Sequence, residues 1–135
     1  MKTPAEIVGL MLENDAFSKW MNLEVTELGQ GFCNLKCTVR AEMLNGHKIA
    51  HGGISYSLSD SALAFAANSH GNKCVSIETS ISHLSPVFEG DKLFVKCEEK
   101  HRGRTYGIYQ VDIFNQENKQ ISTFKGTVNI SKETW

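Results

Sequence analysis

The segment from His51 to Gly71, which reads HGGISYSLSDSALAFAANSHG, places the strongest constraint on the fold. It opens on two glycines and continues as an apolar run rich in small residues. It contains no Lys, Arg or Glu, and the nearest of these are Lys48 and Lys73. A helix on the surface of a globular protein normally carries a charged face. The segment therefore predicts a helix enclosed by the rest of the chain.

One ionisable carboxylate, Asp60, lies within this predicted helix. A carboxylate on a buried helix needs hydrogen-bond donors or a chemical role, because burying an unpaired charge is costly. The residues alone leave two interpretations open. In the first, the hydroxyls of Ser57, Ser59 and Ser61 satisfy the carboxylate. In the second, Asp60 is a catalytic group.

The remaining periodicities predict an α+β domain. Residues 3–6 have the composition of a capping box and start an N-terminal helix, with a break near Asn14-Asp15. Phe17 and Trp20 in this helix are interpreted as core residues. Residues 23–40 alternate as a hairpin, and four further strands follow the central helix, at 74–84, 93–101, 105–114 and 121–130. Short turns imply antiparallel pairing, with the sheet curled over the apolar helix.

Composition limits the classes of partner. A length of 135 residues suits one domain spanning 1–135, and 41% hydrophobic with 21% charged residues is ordinary for a soluble protein. The net charge of −1 gives no reason to expect a nucleic acid or an anionic membrane as partner. No segment approaches the ~20 apolar residues of a membrane span, and the N-terminus lacks the features of a secretory signal. We therefore expect a cytoplasmic protein.

The cysteines and histidines do not predict a metal site. Cys33 and Cys37 share one face of a predicted strand but lie roughly 13 Å apart at the usual rise per residue, too far to bind one ion. His47 and His51 are four residues apart, without the HExxH pattern of a zinc site. In a reducing compartment the four cysteines are expected to be free thiols.

The two glycines at the start of the predicted helix suit a reaction at a carbonyl group. A helix N-terminus offers free backbone N–H groups, and Gly52 and Gly53 leave room for a ligand there. The alternative is that the glycine pair serves only a tight turn into the helix. Asp60 lies eight residues beyond Gly52, roughly 12 Å along the axis, and cannot serve a substrate at its own helix N-terminus. Two helices packed antiparallel across a two-fold axis would bring each N-terminus to the Asp60 of the other chain.

A basic cluster surrounds Gly103, formed by Lys100, His101, Arg102 and Arg104. Cations grouped on a glycine turn suit the binding of phosphates. The alternative is a solvated strand end with no ligand. The residues alone do not decide between the two.

The residues Asn45, His51-Gly52-Gly53, Asp60 and Val75-Ser76 together resemble the motif of hotdog-fold acyl-CoA thioesterases. The chain resembles in particular the PaaI-type group, named for phenylacetic acid degradation, over nearly its whole length. The resemblance implies a hotdog fold, in which an antiparallel sheet wraps around a long central helix, here with an additional N-terminal helix. It also implies hydrolysis of acyl-CoA, with coenzyme A as part of the substrate and no separate cofactor.

The resemblance further implies roles for individual residues. Gly52 donates its backbone N–H to the thioester carbonyl, and Asp60 of a partner chain supplies the catalytic carboxylate as general base or nucleophile. Asn45 and His51 order the reacting centre, and Ser76 orients the attacking water.

The same resemblance implies contacts with the rest of the substrate. Gly53 and the turn of Arg102, Gly103 and Arg104 would bind the substrate, with the turn meeting the phosphates of coenzyme A. Family members are homodimers, commonly paired into homotetramers.

Two function classes remain open at this point. The first is an acyl-CoA thioesterase, and the second is a non-catalytic acyl-CoA sensor on the same fold, which would need no acid at position 60. The acyl group is not defined, because Leu63, Phe65, Phe17 and Trp20 would shape either a pocket or the core. An aryl-acetyl group is implied by the resemblance alone.

Overall fold

The computed structural model describes all 135 residues. Two short helices come first, and a long helix divides two strands from four. The bounds are α1 Pro4–Glu13, α2 Ala16–Met21, β1 Glu24–Gly29, β2 Phe32–Thr38, α3 Gly52–Asn68, β3 Asn72–His83, β4 Lys92–Arg102, β5 Tyr106–Phe114 and β6 Gln120–Thr134, with a 3₁₀ turn at Ala41–Met43 before α3. None of these helices combines the length and the apolar character that a membrane span requires.

The six strands form one antiparallel sheet in the order β1-β2-β4-β5-β6-β3. Helix α3 packs against β2, β3, β4, β5 and β6, so the sheet curls over it. The predicted α+β fold and the order of its elements are confirmed. Strand β3 pairs only with β6 and lies at an edge of the sheet.

Side-chain caps set the start of the chain. The Thr3 hydroxyl accepts a hydrogen bond from the Glu6 N–H at 3.2 Å, and the Thr3 N–H donates to the Glu6 carboxylate at 3.3 Å, which completes the predicted capping box. The predicted break is also confirmed, because Asp15 caps a new helix by accepting from the Ser18 N–H at 3.0 Å. Asn22, with φ of 54°, ends that helix in the left-handed conformation.

The core lies between α3 and the concave face of the sheet. Cys33, Leu35 and Cys37 project from β2 toward the helix and are buried, as the alternation predicts. The helix approaches β6 so closely that a Cβ at Gly126 would lie 2.6 Å from a methyl carbon of Leu63. Leu63 and Phe65 belong to this core.

One expectation about apolar residues differs from the structure. Phe17 and Trp20 are 53% and 43% exposed, so their interpretation as core residues is wrong. They lie side by side on the surface of α2, with ring centroids 5.7 Å apart. Val75 and Ile77 on β3 are 67% and 56% exposed, because this edge strand has no neighbour beyond it and a bulge interrupts its pairing near Ile77.

Helix α3 and strand β3 run alongside each other in opposite directions. The ring of His83 at the end of β3 lies against Gly52 at the start of the helix. At the other end, the Asn68 side chain hydrogen-bonds both the N–H and the carbonyl of Cys74. The N-terminus of the helix and the C-terminal end of the edge strand therefore meet at one place.

Candidate active site

A free backbone donor lies at the N-terminus of α3. His51 is the N-cap residue, and its Nδ1 accepts a hydrogen bond from the Gly53 N–H at 2.8 Å. The His51 carbonyl accepts from the Ile54 N–H at 2.9 Å. The Gly52 N–H donates to no acceptor in the protein. It is available to an incoming oxygen atom, at the positive end of a 17-residue helix.

The loop before the helix brings Asn45 to the same place. Its side-chain oxygen accepts hydrogen bonds from the N–H groups of His47 at 2.9 Å and Ile49 at 3.4 Å, and these bonds shape the loop. The His51 N–H donates to the Met43 carbonyl at 2.8 Å, which ties the loop to the start of the helix. The structure therefore brings together four of the predicted site residues, Asn45, His51, Gly52 and Gly53.

Two cavities flank this helix N-terminus. The first has a volume of about 320 Å³ and is lined by Asn45, Gly52, Ser55 and the segment 83–87, among others. The second has a volume of about 300 Å³ and is lined by five apolar residues together with Glu42, His51, Gly53 and Ser57. Its apolar residues are Phe17, Trp20, Met43, Leu44 and Ile54. The exposed aromatic pair of α2 thus borders the helix N-terminus rather than the core.

Asp60 lies on α3 without a hydrogen-bond partner in the chain. Ser59 donates to the Ser55 carbonyl, and Ser61 pairs with Ser18, so neither hydroxyl satisfies the carboxylate as the first interpretation required. Burial raises the pKa of Asp60 above its ordinary value, and the nearby Asp15 carboxylate raises it further. A half-buried carboxylate with a raised pKa is poised to accept a proton.

Asp60 and Ser76 are both remote from Gly52 of their own chain. Asp60 lies eight residues along the helix, roughly 12 Å away. Ser76 is exposed on β3 and lies seven residues before His83, roughly 23 Å along the strand. A single chain therefore does not assemble the whole predicted site.

The basic turn after β4 divides into an inner and an outer part. Arg102 is turned inward, where its Nη2 donates to the Asn72 side-chain oxygen at 3.3 Å, and its buried Nη1 has no partner. Gly103 and Arg104 are exposed. The turn lies beside the start of β3, at the opposite end of that strand from Gly52.

A hydrogen-bonded cluster occupies the interior next to Arg102. The Glu99 carboxylate accepts from the Tyr109 hydroxyl at 2.7 Å and pairs with the His70 ring at 2.6 Å. Burial acts to raise the pKa of Glu99, but the hydrogen bonds from Tyr109 and His70 outweigh it and lower the pKa. The charge of the nearby Arg102 lowers this pKa further, so Arg102 stabilises the ionised Glu99 inside the fold, a role that the sequence did not indicate.

His83 belongs to the site, although its sequence context did not single it out. A Cβ placed on Gly52 would lie 3.2 Å from the His83 Nε2 atom, and the ring lines the first cavity. A lone histidine at the end of a predicted strand carries no motif. The only signal in the sequence was its position just before the turn at Pro86.

The chain offers neither a metal centre nor an activated thiol. No group of three or more His, Cys, Asp or Glu side chains lies together. The four cysteines are free, and burial raises the pKa of Cys33 to about 12. The buried thiols are therefore protonated at neutral pH and are not nucleophiles.

Comparison with known proteins identifies the family. A family model described as the thioesterase superfamily matches residues 47–122, which include the helix N-terminus, Asp60 and the basic turn. The chain belongs to this superfamily. This thioesterase is 40% identical over 116 residues to the acyl-coenzyme A thioesterase PaaI of Escherichia coli, covering 86% of the chain and 83% of the relative.

Solved structures agree with the family assignment. The structure of the E. coli PaaI protein superposes with a TM-score of 0.94 at 36% identity, covering 97% of this chain and 95% of that one. A hypothetical thioesterase protein of Streptococcus pneumoniae, solved with coenzyme A, superposes with a TM-score of 0.87 at 28% identity, covering 93% of this chain and 98% of that one. The predicted hotdog fold and the resemblance to PaaI-type thioesterases are confirmed.

Proposed function

We propose that this thioesterase hydrolyses acyl-CoA to a free acid and coenzyme A at a site built around Gly52. The observation that carries the proposal is the unpaired Gly52 N–H at the start of α3, flanked by Asn45 and His51. Such a donor stabilises the oxygen that becomes negative when a thioester carbonyl is attacked. The name of the E. coli relative and the coenzyme A in the S. pneumoniae structure support this substrate class.

The site is shared between two copies of the chain. The unpaired edge of β3, with Val75 and Ile77 exposed on it, offers backbone groups and apolar surface to a second copy. A two-fold axis at this edge pairs the strands antiparallel and sets the two α3 helices antiparallel as well. Asp60 of the partner subunit then faces Gly52, which removes the separation of roughly 12 Å within one chain. We therefore propose a homodimer as the smallest active unit, which pairs further into a homotetramer.

In the shared site, Asp60 of one chain and Gly52 of the other have different roles in the reaction. The carboxylate of Asp60 accepts a proton from a water molecule, whose oxygen attacks the carbonyl carbon. The Gly52 N–H stabilises the resulting oxyanion, and the carbonyl re-forms as the carbon–sulfur bond breaks. Ser76, which is exposed on the edge strand β3, positions the water from the partner chain. The raised pKa of Asp60 favours a general base, and direct attack by the carboxylate is the alternative.

The cavity on the α2 side suits the acyl group. Five of its nine lining residues are apolar, and among them is the exposed aromatic pair Phe17 and Trp20. Aromatic rings favour offset or edge-to-face contact with another ring. This supports an aryl-acetyl group as the acyl part of the substrate, as in phenylacetate degradation.

The basic turn suits the coenzyme A part. Gly103 and Arg104 are exposed beside the start of β3, roughly 36 Å along the strand from Gly52 of the same chain. In the proposed dimer the two β3 strands are antiparallel, so the start of the partner's β3 lies beside the end of this chain's β3. The partner's basic turn therefore lies near Gly52 of this chain. Arg104 is then available for a phosphate, whereas Arg102 is occupied by Asn72.

Thiol release from a panel of aryl, short-chain and long-chain acyl-CoAs tests the proposal, with the wild type compared to Asp60→Asn. A lost general base lowers turnover by about 10²–10⁴-fold. Asp112→Asn is the matched control, because it makes the same change on β5, where the side chain accepts hydrogen bonds from Gln110 and Gln120 and an asparagine oxygen still can. Equal turnover by Asp60→Asn and wild type would refute the mechanism. Binding of coenzyme A without thiol release from any acyl-CoA would assign the acyl-CoA sensor instead.

A further inference from the structure

The imidazole of His83 lies at the reacting centre but is not tied to the protein. Its Nε2 edge faces Gly52, 3.2 Å from where a Cβ would stand, whereas the other face of the helix start is occupied by His51. No side chain or backbone group of the chain hydrogen-bonds the His83 ring. His51 and His70, by contrast, are each engaged by a protein partner. The His83 nitrogens are therefore free for a substrate.

The backbone of His83 is held firmly even though its ring is free. The residue pairs with Ser122 in the last register position of β3 and β6, and the next N–H, of Leu84, donates to the Ile121 carbonyl at 2.8 Å. The chain then turns at Pro86. The strand thus delivers the imidazole to the mouth of the cavity that contains Asn45 and Gly52.

The departing sulfur of a thioester takes up a proton at neutral pH, and a proton donor beside the breaking bond assists its departure. When the tetrahedral intermediate collapses, the carbon–sulfur bond breaks and its electron pair leaves on sulfur. An aliphatic thiol has a pKa near ~8.5, so the sulfur of coenzyme A is mostly protonated after release at neutral pH. A cation beside the breaking bond both stabilises the departing negative charge and supplies its proton.

We propose that the imidazolium of His83 is the general acid that protonates the departing sulfur, an inference that rests on the proposed hydrolysis of acyl-CoA. The N–H proton of the ring passes to sulfur as the carbon–sulfur bond breaks, and the neutral ring regains a proton from solvent, to which it is exposed. Asp60 acts on the water and His83 on the thiol. The two proton transfers are then assigned to different groups.

The test compares leaving groups of different acidity. One acyl group is offered as the ester of coenzyme A, of N-acetylcysteamine and of a nitrothiophenol, whose thiol is acidic enough to leave without a proton. The variants are His83→Phe, which fills the space, and His83→Gln, which keeps an N–H donor but cannot transfer a proton. His47→Gln is the control, because His47 is also exposed and its ring is also unbonded. Thermal unfolding establishes that each variant is folded.

We expect both His83 variants to lower kcat by about 10²-fold for the two aliphatic thioesters and by less than about threefold for the aromatic one. Inhibition by free coenzyme A stays unchanged. Equal losses on all three esters, no loss on any, or a loss confined to the coenzyme A ester with weaker inhibition would each overturn the proposal. If the wild type failed to hydrolyse all three esters, the proposed function itself would be wrong.

Discussion

Replacing Gly52 by proline would delete the proposed oxyanion donor while leaving the fold in place. Proline removes one backbone N–H, and the Gly52 N–H has no acceptor in the protein, so no internal hydrogen bond is lost. Gly52 is the first residue of α3, a position that tolerates proline. His51 before it has φ of −58° and ψ of 138°, the extended conformation that a residue preceding proline adopts. The bonds from the N–H groups of Gly53 and Ile54 to His51 remain.

The expected result is a stable but inactive enzyme. A proline in compatible geometry adds about 0.4–1 kcal/mol to the free energy of unfolding, because it restricts the unfolded chain. Loss of one oxyanion donor lowers kcat by about 10²–10³-fold, or about 2.7–4 kcal/mol in transition-state stabilisation. Thermal unfolding and thiol release from acyl-CoA measure the two effects on the same sample.

Gly52→Ala is the matched control for this prediction. It keeps the N–H and adds a Cβ 3.2 Å from the His83 ring, which is exposed and has room to shift. The alanine variant should therefore retain at least about tenfold more activity than the proline variant. A folded Gly52→Pro enzyme with kcat close to that of the wild type would refute the assignment of Gly52 as the donor.

Three further predictions concern Asp60, the aromatic pair and the end of α3. Folding raises the pKa of Asp60, so the ionised carboxylate lowers the free energy of unfolding above the pKa of the folded state. This destabilisation is absent below 3.8, the pKa of the group in the unfolded chain. Asp60→Asn should therefore have a higher Tm than the wild type at neutral pH, with a difference that shrinks to zero in acid, and an unchanged difference would contradict the burial of this carboxylate. Joint replacement of Phe17 and Trp20 by alanine should raise KM for aryl acyl-CoAs about tenfold more than KM for acetyl-CoA, which corresponds to the loss of one or two aromatic contacts. An equal effect on both substrates would refute the assignment of this cavity to the acyl group. Ser69→Ala should lower the free energy of unfolding by about 1–3 kcal/mol in a denaturant titration. The reason is that its buried hydroxyl accepts a hydrogen bond from the Gly31 N–H at 3.1 Å and lies 2.8 Å from the Gly29 carbonyl. Ser131→Ala, at a half-buried surface position, is the comparison.

The order of the elements could be predicted because it depends on local patterns. The stretch between Lys48 and Lys73 lacks Lys, Arg and Glu, and this alone indicated an enclosed helix with one unusual carboxylate. Alternation of side chains located the strands, since each face of this sheet has a different environment. The glycines at the helix start were equally visible, and the structure places the free N–H there.

The features that could not be predicted depend on contacts between distant segments. Helix α2 has only six residues, too few for periodicity to show which side is covered, so the sequence does not reveal that Phe17 and Trp20 face outward. The inward turn of Arg102 depends on Asn72, which lies on another strand. His83 reaches Gly52 only because β3 runs back alongside α3.

The shared site is tested most directly by mixing two inactive variants. When Asp60→Asn and Gly52→Pro chains are unfolded and refolded together in equal amounts, half of the dimers that form are heterodimers. Each heterodimer contains one site with both defects and one site that pairs an intact Gly52 with an intact Asp60. The mixture should therefore recover about a quarter of the wild-type rate of thiol release. Activity no higher than the sum of the two separate variants would place the whole site within one chain and contradict this account.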